Sequence, residues 1–477
     1  MNLRSRVVSG LKWVAAVRFL AQLVTWSITI VVVRLLTPAD YGLLAMATVF
    51  VEFLTMLAQF GVGTAIVQAM ELDDRKFRQM FGFVILVDLG IMILLVFGAP
   101  LIGAYFSEPR VVPIARALSL QFFFAIFATI PSAHLSRQLK FKVQSVVELS
   151  GGLAGGATTL VLALSGFGVW ALVGGILTTA ICRTVGLNIA SPYFGWPEFS
   201  FGGARQLLLF GRNVTLGRLL WFVYSQSDIL VAGRLLGREL LGLYAVSMHL
   251  ASLPVNKVSS TINDVSLPAF SMVQRDRKAF AGYFLMAVRQ ISLAAFPVLW
   301  GMSSIAPEVV SILLGEAWAS ATLPLQLIAL IMPVHMFGPF MNTAAMGMGR
   351  SDIPLKQVSL AVLIMSPMFV LGSRWGPVGL AAVWVTMYPL VFIGGMKLFL
   401  PAIGLRISDM MGAMLRPALA SLAMYVAVAL ARMLVVPTLG QGPRMAILVL
   451  VGVVTYGALT IATNPKGWRE FLDLVGG

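Results

Sequence analysis

Charge is scarce in this sequence. Only 11% of the 477 residues are Asp, Glu, Lys or Arg, against about 25% in soluble globular domains. Hydrophobic residues make up 59% and the mean hydropathy is +0.91. So few charges cannot cover so much apolar surface in water, which excludes a soluble enzyme and a disordered chain. Cysteine is nearly absent too. Cys182 stands alone, so neither an intramolecular disulfide nor a Cys-rich metal site can form; it reads as an inert small hydrophobe. None of the three histidines, His134, His249 and His335, opens an H-E-x-x-H pair. There is also no G-x-x-x-x-G-K-[ST] loop to cradle a nucleotide. Acidic residues (19) are outnumbered by basic ones (34), for a net charge of +15. Taken alone, that excess suggests nucleic acid; its distribution along the chain decides otherwise.

What is abundant is the membrane-length apolar run, which needs about 20 residues. Fourteen such runs are legible, at 12–36, 41–66, 80–104, 113–131, 143–165, 168–190, 207–234, 239–262, 281–303, 319–346, 355–373, 375–400, 411–436 and 443–462. The opening Met1-Asn2-Leu3-Arg4-Ser5-Arg6 resembles the basic start of a signal peptide. The run behind it is too long for a leader, so it is read as a first span. Connections are short, which leaves little room for a glycosyltransferase or polymerase site, and the chain is read as a transporter and not an enzyme.

The basic residues alternate in side. Counting loops from the N-terminus, 21 Lys and Arg fall on its own side, among them Arg4, Arg75, Lys76, Arg137, Lys140, Arg277, Lys278, Arg350 and Lys356. The opposite loops hold only Arg110, Arg234, Arg238, Arg374, Arg432 and Arg444. The positive-inside rule then requires an even number of crossings with both termini cytoplasmic. The basic charge faces the anionic inner leaflet, and the nucleic-acid reading falls.

An internal repeat organises the spans. Shifting the chain by 200 residues matches Arg18 with Arg218, Leu20 with Leu220, Ser27 with Ser227, Val31 with Val231 and Arg34 with Arg234. The register continues through Leu35/Leu235, Leu36/Leu236, Gly42/Gly242, Leu43/Leu243 and Ala45/Ala245. Apolar matches are cheap among membrane spans; two arginines and a glycine in register are not. Asp74-Arg75-Lys76 answers Asp276-Arg277-Lys278 as a second echo. The expectation is an all-α integral membrane protein of about 14 helices. Two six-helix lobes, 1–200 and 201–402, would be related by a pseudo-two-fold axis along the membrane normal, with two further helices and a cytoplasmic tail in 403–477. Parallel repeats of this kind recur among alternating-access transporters.

The stretch Arg34-Leu35-Leu36-Thr37-Pro38-Ala39-Asp40-Tyr41-Gly42-Leu43, with Gln59-Phe60-Gly61-Val62-Gly63 and Gln68, resembles polysaccharide-repeat flippases of the Wzx/WzxC type. These belong to the multidrug/oligosaccharidyl-lipid/polysaccharide exporter superfamily. The resemblance implies a bacterial inner-membrane protein that moves an undecaprenyl-diphosphate-linked oligosaccharide from the cytoplasmic to the periplasmic leaflet. The product would serve exopolysaccharide, capsule or O-antigen synthesis. Its partners would be that lipid-linked oligosaccharide, membrane lipids, and the polymerase and glycosyltransferases of the same process. Competing readings are a multidrug/cation antiporter of the same superfamily, whose cavity should be acidic, a peptidoglycan-precursor flippase, and a membrane-bound polysaccharide polymerase.

Polar residues inside spans are costly and need a reason. Arg18, Gln22, Thr25 and Thr29 share one helix face, and Thr48, Glu52, Thr55 and Gln59 form a matching stripe on the second span. Arg218 and Ser225 align on the seventh; Lys257, Thr261 and Asp264 share a face of the eighth. Such stripes suit a water-filled cleft in which Arg18, Arg218 and Lys257 bind the diphosphate, since guanidinium pairs with phosphate oxygens bidentately. Gln22, Thr25, Thr29, Glu52, Gln59 and Ser225 would line it. The plainer reading is that the arginines snorkel to the cytoplasmic interface. Glu52, Asp88, Glu148, Asp228 and Asp264 are either counterions to the arginines or proton- or sodium-coupling groups; no other cofactor and no bound metal is expected. Arg34 and Arg234 end their helices and complement the dipole there. Gly151-Gly152-Leu153-Ala154-Gly155-Gly156 reads as a close-packing face, and Pro324, Pro333 and Pro339 as a bend in the tenth span. His335 reads as a hydrogen-bonded helix residue.

Overall fold

The computed structural model describes residues 24–58, 74–192, 195–200, 204–274, 276–434 and 440–464; for 74, 76, 204–218, 256–269 and 271 only the backbone is described. Among the described residues the chain is helical, with no strand. Ten helical stretches among the described residues are long and apolar enough to cross a membrane, and Glu316–Gly347 and Asp352–Ile403 each carry two successive α-helices. The chain divides into two compact units, one of Met1–Leu219 with Gly237–Glu239 and one of Leu220–Leu236 with Leu240–Gly477.

In the first unit, α1 (Val24–Leu35) ends where the sequence reads Leu36-Thr37-Pro38. α2 (Pro38–Ala58) starts with proline at a position whose N–H has no helical partner to lose. Thr37 and Asp40 cap it reciprocally. Asp40 Oδ2 accepts from Thr37 N (2.9 Å) and Thr37 Oγ1 (2.7 Å), while Asp40 N donates to Thr37 Oγ1 at 3.3 Å. The other oxygen of Asp40 accepts from Val169 N at 3.0 Å, at the start of α6 (Val169–Ala190). The stretch that resembles the flippase family is thus a helix cap that also pins a distant helix.

Between them run α3 (Asp74–Phe106), α4 (Val111–Arg137) and α5 (Phe141–Leu164). The glycine-rich stretch of α5 packs as expected. A Cβ on Gly155 would overlap Thr179 Oγ1 and lie 2.6 Å from Gly175 O, so only glycine lets the backbones of α5 and α6 approach this closely. Outside the spans, Glu198 accepts from Arg75 Nε at 2.9 Å and Gln79 Nε2 at 3.3 Å. The Arg75 hydrogen bond holds the Glu198 carboxyl below the usual range.

The helical run Ala204–Met272 breaks at Gly237 (φ 77°), a left-handed position that suits a residue without Cβ. We label its parts α7 (204–236) and α8 (238–272). The three residues at the break group with the first unit, where Arg238 Nη1 donates to Glu108 Oε2 at 2.8 Å. In the second unit Asp276 caps α9 (Arg277–Ser304), accepting from Lys278 N and Ala279 N at 3.0 Å each. The Asp-Arg-Lys echo found in the sequence is therefore, in this copy, a helix start.

A short α10 (Ala306–Val309) and irregular turns lead into α11 (Thr322–His335) and α12 (Phe337–Gly347), which are separated at Met336. α13 (Asp352–Gly372), α14 (Gly376–Ile403), α15 (Ile407–Leu434) and α16 (Gln441–Thr463) follow. Met424 and Val428 of α15 pack on Leu448 and Tyr456 of α16, and Tyr456 Oη donates to Leu293 O of α9 at 2.8 Å. A buried acid anchors the same region. Glu308, 6% exposed, meets Arg432 Nη2 at 2.6 Å and Arg444 Nε at 3.4 Å.

Candidate functional site

Within the second unit a small pocket lies beside the junction of α11 and α12. Pro339 has no N–H to give to the carbonyl four residues back, His335 O. Tyr388 Oη of α14 lies 3.3 Å from that carbonyl and donates to it instead. Met336 itself keeps helical angles (φ −60°, ψ −29°), so the chain runs on through this point with one carbonyl bonded from outside the helix. The pocket is small, about 20 Å³ or room for about one water, and is lined by Trp221, Tyr224, His335, Gly338, Pro339, Asn342, Gln357, Val358, Ala361, Tyr388 and Val391.

Its walls are aromatic. Trp221 and Tyr224 have ring centroids 5.5 Å apart; His335 lies 4.9 Å from Tyr388 and 5.4 Å from Trp384, edge-on to the latter. Its polar atoms are under-used. Asn342 Oδ1, Gln357 Oε1 and His335 Nδ1 are buried with no hydrogen-bond partner, although Gln357 is only 5% exposed. His335 Nε2 sits 3.4 Å from Tyr224 Oη. As expected, His335 is a hydrogen-bonded helix residue, through Nε2, and its other ring nitrogen has no partner. Leaving such groups unmade in a native interior costs about 1–3 kcal/mol each, so they call for a ligand or water.

Behind the rings is a second polar group whose bonds are made. Asp228 of α7, 3% exposed, accepts from Tyr244 Oη (2.6 Å) and from Ile229 N (2.8 Å). Trp384 Nε1 donates to Tyr244 Oη at 2.8 Å. The chain Trp384–Tyr244–Asp228 fixes the indole that stands against His335, so the carboxylate acts on the pocket through the rings.

The residues singled out from sequence are dispersed. Arg18, Gln22 and Gln59 lie outside the described residues. The side chains of Arg218, Lys257, Thr261 and Asp264 do too, although their backbones are helical. Thr29 is exposed on α1, and its Oγ1 donates to Thr25 O at 2.9 Å. Glu52 is exposed on α2, where Thr48 and Thr55 return their hydroxyls to Ala45 O and Val51 O. Asp88 is buried in α3 at 6% exposure. Glu148 meets Arg183 Nε at 3.2 Å across α5 and α6. Ser225 Oγ donates to Phe222 O within α7. Among those whose side chains are described, Asp228 stands beside the pocket rings, through Tyr244 and Trp384. Trp221, Tyr224, Asn342, Gln357 and Tyr388 escaped the sequence reading, because they come from four different helices and only the packing brings them together.

Comparison with known proteins gives the fold its relatives. The pattern of the family described as "polysaccharide biosynthesis protein" matches residues 31–323. The lipopolysaccharide biosynthesis protein WzxC of Escherichia coli (strain K12) is 24% identical over 380 residues, covering 78% of this chain and 76% of its own. The succinoglycan biosynthesis transport protein ExoT of Rhizobium meliloti (strain 1021) is 25% identical over 375 residues, 76% of this chain and 74% of its own. Among solved structures, the lipid II flippase MurJ in an inward closed conformation superposes with a TM-score of 0.74 at 14% identity, covering 94% of this chain and 98% of its own. An inward-facing multidrug resistance MATE family transporter gives 0.60 at 14% identity, over 83% and 94%. These two likenesses concern the fold. The family match spans well over half of the sequence, and this multi-pass membrane protein belongs to the polysaccharide biosynthesis protein family.

Proposed function

We infer that the chain is a flippase that carries a polyprenyl-diphosphate-linked oligosaccharide repeat unit from the cytoplasmic to the periplasmic leaflet of a bacterial inner membrane. The observation that carries the reading is the family match over residues 31–323, joined to relatives named for lipopolysaccharide biosynthesis and succinoglycan transport. The physical task is severe. A diphosphate and its sugars must pass about 30 Å of hydrocarbon, where each unpaired charge costs several kcal/mol. A polar path supplies substitute partners while the prenyl tail stays in lipid.

In this reading the repeat halves 1–200 and 201–402 are the lobes that alternate, and both termini are cytoplasmic. Arg18, Arg218 and Lys257 receive the diphosphate, and Gln22, Thr25, Thr29, Glu52, Gln59 and Ser225 line the path. Glu52, Asp88, Glu148, Asp228 and Asp264 serve as counterions or as proton- or sodium-coupling groups. The arriving substrate comes from glycosyltransferases that assemble it on the carrier, and the flipped product goes to a polymerase. The chain itself carries out no bond-breaking step.

The test is a strain lacking this gene. It should lose its surface polysaccharide and accumulate the lipid-linked repeat unit on the cytoplasmic leaflet, and plasmid-borne protein should restore export. Undiminished export in the deletion strain, with no other flippase gene present, refutes the reading. Replacing Arg18 and Arg218 together by Ala, at normal membrane abundance, should weaken substrate affinity by about 10- to 150-fold for each charge-assisted bond of about 1.5–3 kcal/mol lost. Full export by that variant removes the anion site and leaves the flippase standing.

A further inference from the structure

We propose that the turn between α4 and α5 is a docking surface for the headgroup of an anionic phospholipid. This surface lies within the first unit, and its ligand is independent of what the chain transports. Several helices end in the same closure, in which a residue just past the helix turns left-handed and two backbone N–H groups meet the last carbonyls. Gly166 closes α5 in this way, Gly349 closes α12 and Gly404 closes α14. α3 closes on a small polar residue, Ser107 (φ 55°). α4 closes on Leu139 (φ 55°), where Leu139 N donates to Ser136 O and Lys140 N to Leu135 O, each at 3.0 Å. Leucine meets a steric penalty in that conformation that glycine escapes. Its side chain recovers little of it by packing, being 74% exposed.

The depth of the turn supplies the missing contact. α4 has 27 residues and α5 has 24, which gives about 40 Å and about 36 Å of helix. Both lengths exceed the hydrocarbon layer of about 30 Å and approach the full bilayer of about 40–45 Å. Only residues 138–140 join the two helices, so the turn cannot rise far and lies in the headgroup layer. Phe141, 55% exposed, is the second apolar side chain there. Lys140 and Lys142 alternate with these two and are exposed, and Arg137 stands in the last turn of α4. A turn facing water has no use for the leucine and the phenylalanine, and a soluble anion would need only the cations. A lipid uses both. The apolar pair enters the acyl boundary while the ammonium groups meet the phosphate. The neighbouring carboxylates are engaged elsewhere, Glu148 with Arg183 Nε at 3.2 Å and Glu198 with Arg75 Nε at 2.9 Å.

The segment after α6 extends the same surface. His134 of α4 meets Ser191 Oγ through Nδ1 at 2.8 Å and Gln138 Nε2 through Nε2 at 2.9 Å, which ties the turn to the end of α6. Further along, Glu198 N donates to Arg78 O of α3 at 3.0 Å. Beside that hold Trp196 is 85% exposed, and indole is a side chain that membrane interfaces favour.

In the test, full-length protein in detergent micelles is titrated with dioleoylphosphatidylglycerol or dioleoylphosphatidylcholine, and native mass spectrometry counts the lipids retained. Micelles offer each lipid to both ends of the molecule, so the result is independent of which end is cytoplasmic. At least one phosphatidylglycerol should be retained at concentrations where phosphatidylcholine is not. Lys140→Gln together with Lys142→Gln should weaken that retention by about 30-fold, at about fivefold for each charge. Leu139→Gly should weaken it by about tenfold. Glycine suits the left-handed position better than leucine does, so this variant keeps its fold, and an undiminished melting temperature checks that. Arg110→Gln, at the opposite end of α4, should bind as the wild type does.

Three results would overturn the docking surface. They are equal retention of the two lipids by the wild type, retention unchanged in both the lysine and the Leu139 variants, and displacement of phosphatidylglycerol by millimolar glycerol phosphate, which would make the turn a site for a soluble anion.

Discussion

Replacing Tyr244 by Phe removes one oxygen and breaks the chain Trp384–Tyr244–Asp228 in its middle. The wild-type hydroxyl donates to Asp228 Oδ2 at 2.6 Å and accepts from Trp384 Nε1 at 2.8 Å. Tyr244 is fully buried and Asp228 is 3% exposed, so water cannot replace the lost partner without rearrangement. The bond to a carboxylate is worth about 1.5–3 kcal/mol, and an indole N–H left without an acceptor costs about 1–3 kcal/mol. The two losses share a site and will not add fully, so a net destabilisation of about 2–4 kcal/mol is expected. Thermal unfolding of the purified protein in nanodiscs, followed by circular dichroism, measures it. The cycle completed with Asp228→Asn should give a coupling of at least about 1 kcal/mol, since the residues are in direct contact. A Tyr244→Phe protein as stable as the wild type, or a cycle with no coupling, would show that the carboxylate is satisfied by other groups and that Trp384 is not held through Tyr244.

The clamp at Glu308 should be unequal. Arg432→Ala loses a 2.6 Å bond to the buried carboxylate and the contact with Ser304 O, whereas Arg444→Ala loses a 3.4 Å contact. Because both arginines keep some water contact, about 1.5–3 kcal/mol is expected for Arg432 and under about 1 kcal/mol for Arg444; hydrogen exchange of α15 and α16 would report both, and equal effects would refute the ranking. The Glu198 carboxyl is held below its usual range by Arg75, so its pairing is complete above the unfolded value of about 4.3 and is lost as pH falls through the lower folded value. Exchange protection of 195–200 should therefore decline only in that acid range, and Glu198→Gln should abolish the pH dependence. A decline near neutral pH would assign the transition to another group.

The spans were legible because lipid imposes a single demand, a long apolar window, that any stretch either meets or fails. The repeat was legible because arginine and glycine rarely coincide by chance among leucines and valines. Reading Arg34 to Leu43 as a family resemblance found the right relatives, yet its local role was hidden. Asp40 caps α2 with one oxygen and holds Val169 N with the other, 129 residues away, and no local pattern announces such a partner. The glycine run of α5 was easier, since small residues at helical spacing have one common use in membranes.

The pocket was harder for a geometric reason. Stripe analysis detects residues that share a face of one helix, and it found Arg18 with Gln22, and Lys257 with Asp264, on that basis. Trp221 and Tyr224 come from α7, His335 and Asn342 from either side of Met336, Gln357 from α13 and Tyr388 from α14. They are spread over several helices, so no periodicity along any one of them marks the group. What the sequence did show was Pro333 and Pro339 within one membrane-length run. Proline at that depth frees a carbonyl that lipid cannot satisfy. Some neighbouring helix must therefore bring a donor, and the donor here is Tyr388. Met336 keeps helical angles, so the helix continues through this point and the cost of the missing bond is met by one side chain of α14. Pro339 was thus the visible sign of a carbonyl in need of a donor, and the donor had to be read from the packing.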